Sequence, residues 1–562
     1  MAKTYRWRST ELEYKSVNKL FEKSFKEHWE REALSNYQGR TVTYRELAER
    51  IAMLHICFEQ CGLQKGDKVA LCSRNQANWG VCFLAALTYG AVPVPILHEF
   101  KSANVHYLVN HSESKVLFVG ETEWEGLSEA EMPGLSVVVL MNNFNFLYAR
   151  NESLSAVRDN ITRTFNEKYP DGFKPEDISY YEDSPEELAL INYTSGTSGF
   201  SKGVMLPYRS LYTNLNLAFT AEPQMSCASE VVAMLPSAHM YGLMFELLYE
   251  MVIGAHVHFL TRLPSPKIIM KAFQEIHPDI IIAVPLIMEK VYKTQLKPIA
   301  DRTRTMMYVP LLGQSIQKKI RDGLISAFGG RFEEVILGGA AFNPEVEDFL
   351  RRIHFPFTVG YGMTECGPII TYEKWFRTRR YSCGKAIPGC EMRIDSANPH
   401  KIPGEVQIKG GNVFLGYYKN REETRKCFTN DGWFKTGDMG IMDSEGYLYL
   451  RGRSKCMILG ANGQNVYPEE LEAVINNASY VVDSLVVEDA GGLTALIYPD
   501  YQQGQNDGMD REQLEHRLVE SLPEFNKLLP AYAQLKKIEV MPEDFERTPK
   551  KSIKRYLYQR NK

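Results

Sequence analysis

The sequence predicts an α/β protein: a large N-terminal domain of layered sheets and helices, followed by a smaller α+β domain. Three observations carry that expectation. The 562 residues, 44% of them hydrophobic, exceed what one core organises. Short apolar runs alternate with helical periodicity for several hundred residues, the pattern of largely parallel sheets. After about residue 450 the texture changes, which places a boundary near Arg451 to Lys455 and divides the chain into residues 1–451 and 452–562.

Taken in order, residues 43–62 begin with Thr43, place Glu46 three positions on, repeat apolar residues with helical period and stop at Gly62, so they form a capped helix. KVALCS follows as a strand, NWGVCFLAALTYGA as a helix, and VPVPI, KVLFVG and SVVVLM as further strands. The most apolar stretch, residues 231–260, reads as buried strand, helix and strand. Pro236, His239, Glu246, Glu250, His256 and His258 interrupt it at spacings that a lipid-facing helix does not tolerate. Beyond residue 450 the loop ILGANGQNVYP leads into the helix PEELEAVI, two strands around SLVVED and TALIYPD, and the helix REQLEHRLVE; YQQGQNDGMD reads as a surface loop.

Composition excludes several classes of function. A net charge of −4, from 65 basic and 69 acidic residues spread along the chain, offers no basic stripe for nucleic acid. The N-terminal MAKTYRWRSTELEYKS has no apolar segment behind its cations, so it is not a secretory signal. The ten cysteines contain no CxxC, and Cys57 and Cys61 sit four apart without a histidine partner nearby; reduced cysteines in a cytoplasmic protein are expected. No transmembrane segment is expected, and peripheral membrane contact stays open.

The segment INYTSGTSGFSKGVML packs glycines, hydroxyl side chains and Lys202 between an apolar run and a helix (RSLYTNLNLAF). Such a loop turns backbone N–H groups and hydroxyls toward phosphate oxygens while the lysine neutralises charge. It is not a Walker A loop, because Ser201 precedes Lys202 and Gly203 follows it. Taken alone, a Ser/Gly loop is more often a plain turn.

The full string resembles the phosphate-binding signature of the adenylate-forming superfamily, which includes acyl-CoA synthetases, peptide-synthetase adenylation domains and firefly luciferase. Ser201 stands where that family usually has proline. Further blocks similar to the family's follow in order: LPSAHMYG (235–242), LGGAAFN (337–343), VGYGMTECGP (359–368), GWFKTGD (432–438), RGRSK (451–455) and GANGQNVYPEELE (460–472). The resemblance covers nearly the whole chain and implies a small β-barrel subdomain within the first domain and a mobile second domain.

It also implies roles. Thr194, Ser195, Gly196, Thr197, Ser198 and Lys202 hold the β- and γ-phosphates of ATP; Thr364 bonds the α-phosphate; Glu365 ligates Mg²⁺. Tyr361 and Gly362, with the small residues Gly338, Gly339 and Ala340, form a slot for adenine, and Asp438 and Arg453 take the ribose. His239 lies beside the reacting carboxylate. LPSAHMYG lacks the aspartate with which amino-acid-selecting members hold an ammonium, so an acid without an amino group is favoured. Lys455 occupies the hinge about which the second domain turns, and Gly463 then approaches the pantetheine of coenzyme A.

One block departs from the family. RTPKKSIKRYLY aligns with the catalytic-lysine block through Arg547, Thr548, Ile553 and Arg555, which puts Ser552 at the lysine position; Lys551, beside it, is the expected substitute. The activity implied is a ligase of the long-chain fatty acid:CoA type: acid and ATP give acyl-AMP, and CoA then takes the acyl group. Two alternatives remain open, an acyl-AMP ligase that loads a carrier protein and an impaired adenylate- or acyl-binding protein.

Overall fold

The computed structural model describes residues 8–194, 201–262, 265–303, 307, 309, 312–459, 465–489, 492–548 and 552–560. Its first domain is organised by two mainly parallel sheets. One has the strand order Val92–Ile96, Lys68–Cys72, Ser114–Val119, Val137–Leu140, Phe146–Ala149, with only the last pair antiparallel. The other runs Glu230–Ala233, His256–Phe259, Glu32–Asn36, Thr41–Thr43, with only the last pair antiparallel. The inner strands read as near-continuous apolar runs because helices cover both faces: Val69, Ala70, Leu71, Val94, Leu117 and Phe118 have no exposure. Between the sheets lies the helix Ala77–Tyr89, ended by Gly90 at φ +84°, whose Trp79 and Phe83 rings stack at 5.4 Å.

The helix foreseen at residues 43–62 spans Tyr44–Gln60, and its capping box is present: Glu46 N donates to Thr43 Oγ1 and Thr43 N donates to the Glu46 carboxylate. The apolar stretch 231–260 forms the expected strand, helix and strand, with a π-helical turn over Met244–Leu248. No helix among the described residues is long and apolar enough to cross a membrane.

A third parallel sheet, Ile281–Ala283, Val335–Leu337 and Phe357–Val359, ends where the LGGAAFN and VGYGMTECGP blocks begin. Where a small barrel is implied there is a four-stranded antiparallel sheet, ordered Cys390–Asp395, Gly404–Gly410, Phe434–Met442, Leu448–Arg453. The later residues build a separate core around Ile475, Ala495 and Ile497, under the antiparallel pair Val481–Asp489 and Gly492–Pro499. The helix Pro468–Ile475 leans back on strand Leu448–Arg453 through Arg451 and Glu470, 3.2 Å apart.

One local expectation is corrected. Residues 501–506, expected in a surface loop, form the helix Tyr501–Asn506, because Asp500 accepts from Gln503 N and supplies an N-cap. The phosphate segment joins an apolar strand to a helix as expected: Leu188–Thr194 pairs antiparallel with Lys202–Pro207, and helix Tyr208–Ala221 follows.

Candidate active site

The three strands Ile281–Ala283, Val335–Leu337 and Phe357–Val359 stop together, so their C-terminal ends open a crevice of the kind that takes ligands in α/β sheets. Gly338 N donates to Ala283 O and Gly360 N to Leu337 O, which locks the three exits side by side. Gly338 is glycine for a packing reason: a Cβ there meets the Tyr241 ring at 3.1 Å. Gly339, at φ +88°, sits where side-chain-bearing residues are strained, and Gly339 and Ala340 are exposed to the crevice mouth.

Tyr241 is itself positioned by His239. His239 is the N-cap of the short helix Met240–Leu243, and its Nδ1 accepts from Tyr241 N at 3.2 Å; the Tyr241 hydroxyl then donates to Ile336 O at 3.0 Å. A histidine foreseen beside the reacting group thus also fixes the backbone of its own block. That block is anchored from below by Glu246, fully buried in the π-helical turn, whose carboxylate accepts from Leu235 N at 2.9 Å.

Tyr361 and Gly362 form a two-residue strand beyond Gly360. Gly362 permits a close backbone approach, since a Cβ there falls 2.2 Å from Pro368 O, across the turn closed by Met363 N and Pro368 O. Inside that turn Thr364 and Glu365 lie on a buried 3-10 turn, Thr364–Cys366. Glu365 Oε1 accepts from the Tyr417 hydroxyl at 3.0 Å, which burial and the nearby carboxylate hold far above the usual phenol range.

The Tyr361 hydroxyl donates to Asp438 Oδ2 at 2.6 Å, and Arg453 Nε approaches Asp438 Oδ1 at 2.9 Å. Asp438 and Arg453 face one another across paired strands. Burial raises the Asp438 pKa, while Arg453 and the Tyr361 hydroxyl oppose that shift. The flat ring foreseen for adenine and the carboxylate foreseen for ribose are therefore joined directly.

Thr194 and Lys202 are paired residues at the tip of the Leu188–Thr194 and Lys202–Pro207 hairpin. Lys202 Nζ meets Glu423 Oε2 at 2.5 Å and lies 4.9 Å from the centre of the Tyr417 ring. The hydrogen bond from Lys202 holds the Glu423 carboxyl down to about 2. Tyr417 thus bridges the two sites, its hydroxyl on Glu365 and its face under Lys202. Neither Tyr417 nor Glu423 is singled out by the sequence, because Glu423 lies 221 positions from Lys202 in a helix, Arg421–Lys426, of ordinary charged composition.

Ser195, Gly196, Thr197, Ser198, Gly463 and Lys551 lie outside the described residues. Ser552 is described and exposed: its carbonyl accepts from Thr548 N at 2.8 Å, next to the bridge between Arg547 and Ile553. Lys455 is exposed on the 3-10 turn Ser454–Cys456, directly after the strand that carries Arg453.

The described part of this constellation fits a nucleoside triphosphate with a divalent cation: small residues at the strand exits, a buried carboxylate paired with an arginine, a lysine at the end of a strand pair, and an acid held by a neutral donor. Comparison with known proteins agrees. Long-chain-fatty-acid–CoA ligase FadD15 of Mycobacterium bovis is 28% identical over 475 residues, covering 80% of this chain and 75% of that protein. Long-chain-fatty-acid–CoA ligase ACSBG2 of Gallus gallus is 25% identical over 525 residues, covering 86% and 67%. ATP-bound MatB from Rhodopseudomonas palustris shares the fold at a TM-score of 0.74 and 23% identity, over 97% of this chain and 98% of that one. MenE from Bacillus subtilis, solved with ATP and magnesium ion, does so at 0.73 and 20%, over 96% and 98%. Residues 456–561 match the AMP-binding enzyme C-terminal domain, and residues 21–418 match the AMP-binding enzyme family, to which this chain belongs.

Proposed function

We propose that the protein is an AMP-forming acid:CoA ligase acting on a medium- or long-chain fatty acid. In the first half-reaction a carboxylate oxygen attacks the α-phosphorus of ATP, the bond to the β-phosphate oxygen breaks, and pyrophosphate leaves. In the second, the CoA sulfur attacks the acyl carbonyl, the bond to AMP breaks, and the thiol proton is lost, giving acyl-CoA and AMP. The observation that carries this reading is the convergence of Lys202, Glu365 and the Tyr361–Asp438–Arg453 chain around one crevice. The names of the sequence relatives support the fatty acid.

Each group has a physical task. Lys202, released from Glu423, offsets the charge of the β- and γ-phosphates, and the hairpin hydroxyls add donors. Thr364 bonds the α-phosphate. Mg²⁺ bound at Glu365 supplies charge neutralisation between the phosphates and the incoming carboxylate. Asp438 and Arg453 hold the ribose, and Tyr361 with Gly338, Gly339 and Ala340 encloses the base. Lys551 reaches the carboxylate and α-phosphate oxygens, after which residues 452–562 turn about Lys455 and bring Gly463 to the pantetheine channel. The setting is the cytoplasm, which cell fractionation checks.

The test is pyrophosphate release from ATP and Mg²⁺ across acids from acetate to palmitate, with aromatic and amino acids included, with and without CoA. Release that peaks with a fatty acid and turns over repeatedly only with CoA is expected. Turnover restored by an acyl carrier protein and not by CoA assigns the carrier-loading alternative. A second reading, an impaired adenylate- or acyl-binding protein, rests on Ser552: ATP binding without pyrophosphate release across the panel supports it, whereas an active protein silenced by Lys551→Ala assigns the displaced lysine.

A further inference from the structure

Glu230, His256 and His258 gather their ligand atoms within 4.8 Å of one another, on strands of the sheet that carries the Leu235–Gly242 block at its other end. The arrangement follows from strand geometry. His256 and His258 are alternate residues of one strand, so their rings lie on the same face, 4.0 Å apart by centroid, and Glu230 is the direct partner of His256 on the neighbouring parallel strand. Glu230, His256 and Glu32 are each the first residue of their strand, so the cluster sits at the N-terminal edge of the sheet, away from the crevice that the crossovers open.

We propose that Glu230, His256 and His258 form a binding site for a first-row transition metal ion, zinc in the first instance, that is separate from the catalytic magnesium. Glu230 Oε2 is 3.0 Å from His256 Nδ1 and 2.7 Å from His258 Nε2. A tetrahedral zinc with ligand bonds near 2.0–2.1 Å separates its ligands by about 3.3 Å, so a few tenths of an ångström of opening admits the ion. Two imidazoles with one carboxylate is a donor set that selects such ions over magnesium or calcium.

The surroundings orient the ligands as outer partners do in metal sites. His256 Nε2 is 2.7 Å from Ser35 Oγ, which is in turn 2.7 Å from Thr41 Oγ1; an Nε2–H donated to Ser35 leaves the Nδ1 lone pair aimed at Glu230. Asp279 Oδ2 accepts from Glu230 N at 2.8 Å and fixes that strand end. Glu32 Oε2, 3.5 Å from His256 Nδ1 and on an exposed side chain, is placed to close the fourth position, and its exposure gives the ion a path from solvent. Bound there, the ion clamps three strands, one of which, Glu230–Ala233, leads at its far end into the Leu235–Gly242 block.

The test uses the full chain, stripped with a chelator, and reads metal binding and stability, not activity. Titration with ZnCl₂ against a chromophoric zinc indicator is expected to show one tight equivalent per chain and a zinc-dependent rise in Tm. Both are lost, with affinity down about a hundredfold or more, in Glu230→Gln and in the His256→Gln/His258→Gln double variant. Cobalt(II) added to the unaltered protein provides a readout that needs no variant: a tetrahedral d–d spectrum without a thiolate charge-transfer band supports the site. No zinc uptake, uptake unchanged in the variants, or a thiolate band that reports capture by cysteines overturns the proposal.

Discussion

Lys202 and Glu423 form an ion pair of 2.5 Å across 221 positions of sequence, so the cation foreseen for the triphosphate is neutralised before the nucleotide arrives. Both side chains are partly exposed, which limits the pair to about 1 kcal/mol or less. Glu423→Gln should therefore lower KM for ATP about two- to fivefold. Lys202→Ala removes the charge-assisted hydrogen bonds proposed to the phosphates and should raise KM for ATP about ten- to a hundredfold. Pyrophosphate release against ATP concentration measures both, and a rise in KM in the glutamine variant would show that Glu423 instead holds Lys202 in its working position.

Gly362 is the tightest backbone approach in the turn that presents Thr364 and Glu365. Gly362→Ala brings its Cβ against the Pro368 carbonyl, which is backbone and shifts only by moving the turn. A displacement of that size at a reacting site costs about a hundredfold in rate, and adenylation should fall by that much. Gly323→Ala, in the helix Leu312–Ala327 with open space at the Cβ, is the matched control and should raise stability by about 0.5–1 kcal/mol.

Glu246 acts on the His239 block through the backbone. Its carboxylate is buried and accepts from Leu235 N, three residues before Ala238 and four before His239. Glu246→Gln keeps an acceptor of the same shape and should leave adenylation within a few-fold of the parent. Glu246→Ala leaves a buried N–H unpaired, at a cost of about 1–3 kcal/mol, and frees the loop; Tm and the adenylation rate should fall together. An alanine variant with normal rate and lower Tm would assign Glu246 to stability alone.

Local signals are legible in the sequence and distant ones are not. The Thr43 cap, the strand–helix alternation and the small residues at 338 and 339 are written in neighbouring residues, and each has its reason in the fold. The resemblance to the family assembled the blocks around Tyr361, Glu365 and Asp438. Invisible were the partners that join these blocks: Tyr417 between Lys202 and Glu365, Glu423 on Lys202, and the Tyr361 hydroxyl on Asp438. Such contacts depend on how separate elements pack, and no spacing or periodicity encodes them. The helix Tyr501–Asn506 is not legible for a different reason: Gly504 and Asn506 carry weak helical propensity, and the Asp500 cap decides the outcome.

Glu250 sets a pH dependence of stability. It has no exposure, both carboxylate oxygens lack a hydrogen-bond partner, and burial pushes its pKa up to about 8. The folded protein keeps this group protonated while the unfolded chain loses the proton near 4.5. Between those values the unfolded state binds fewer protons, so stability is fully present below pH ~4.5 and declines as pH rises toward about 8, by an amount on the order of 4 kcal/mol. Glu250→Gln is neutral at every pH and removes that slope. Urea midpoints measured from pH 5 to about 8.5 should therefore converge for parent and variant at the acid end and diverge at the alkaline end, with Glu250→Gln the more stable there. Parallel curves across the whole range would mean that Glu250 ionises in the folded protein as it does in the unfolded chain, with its charge solvated by water reaching the interior of the helix Tyr249–Ile253.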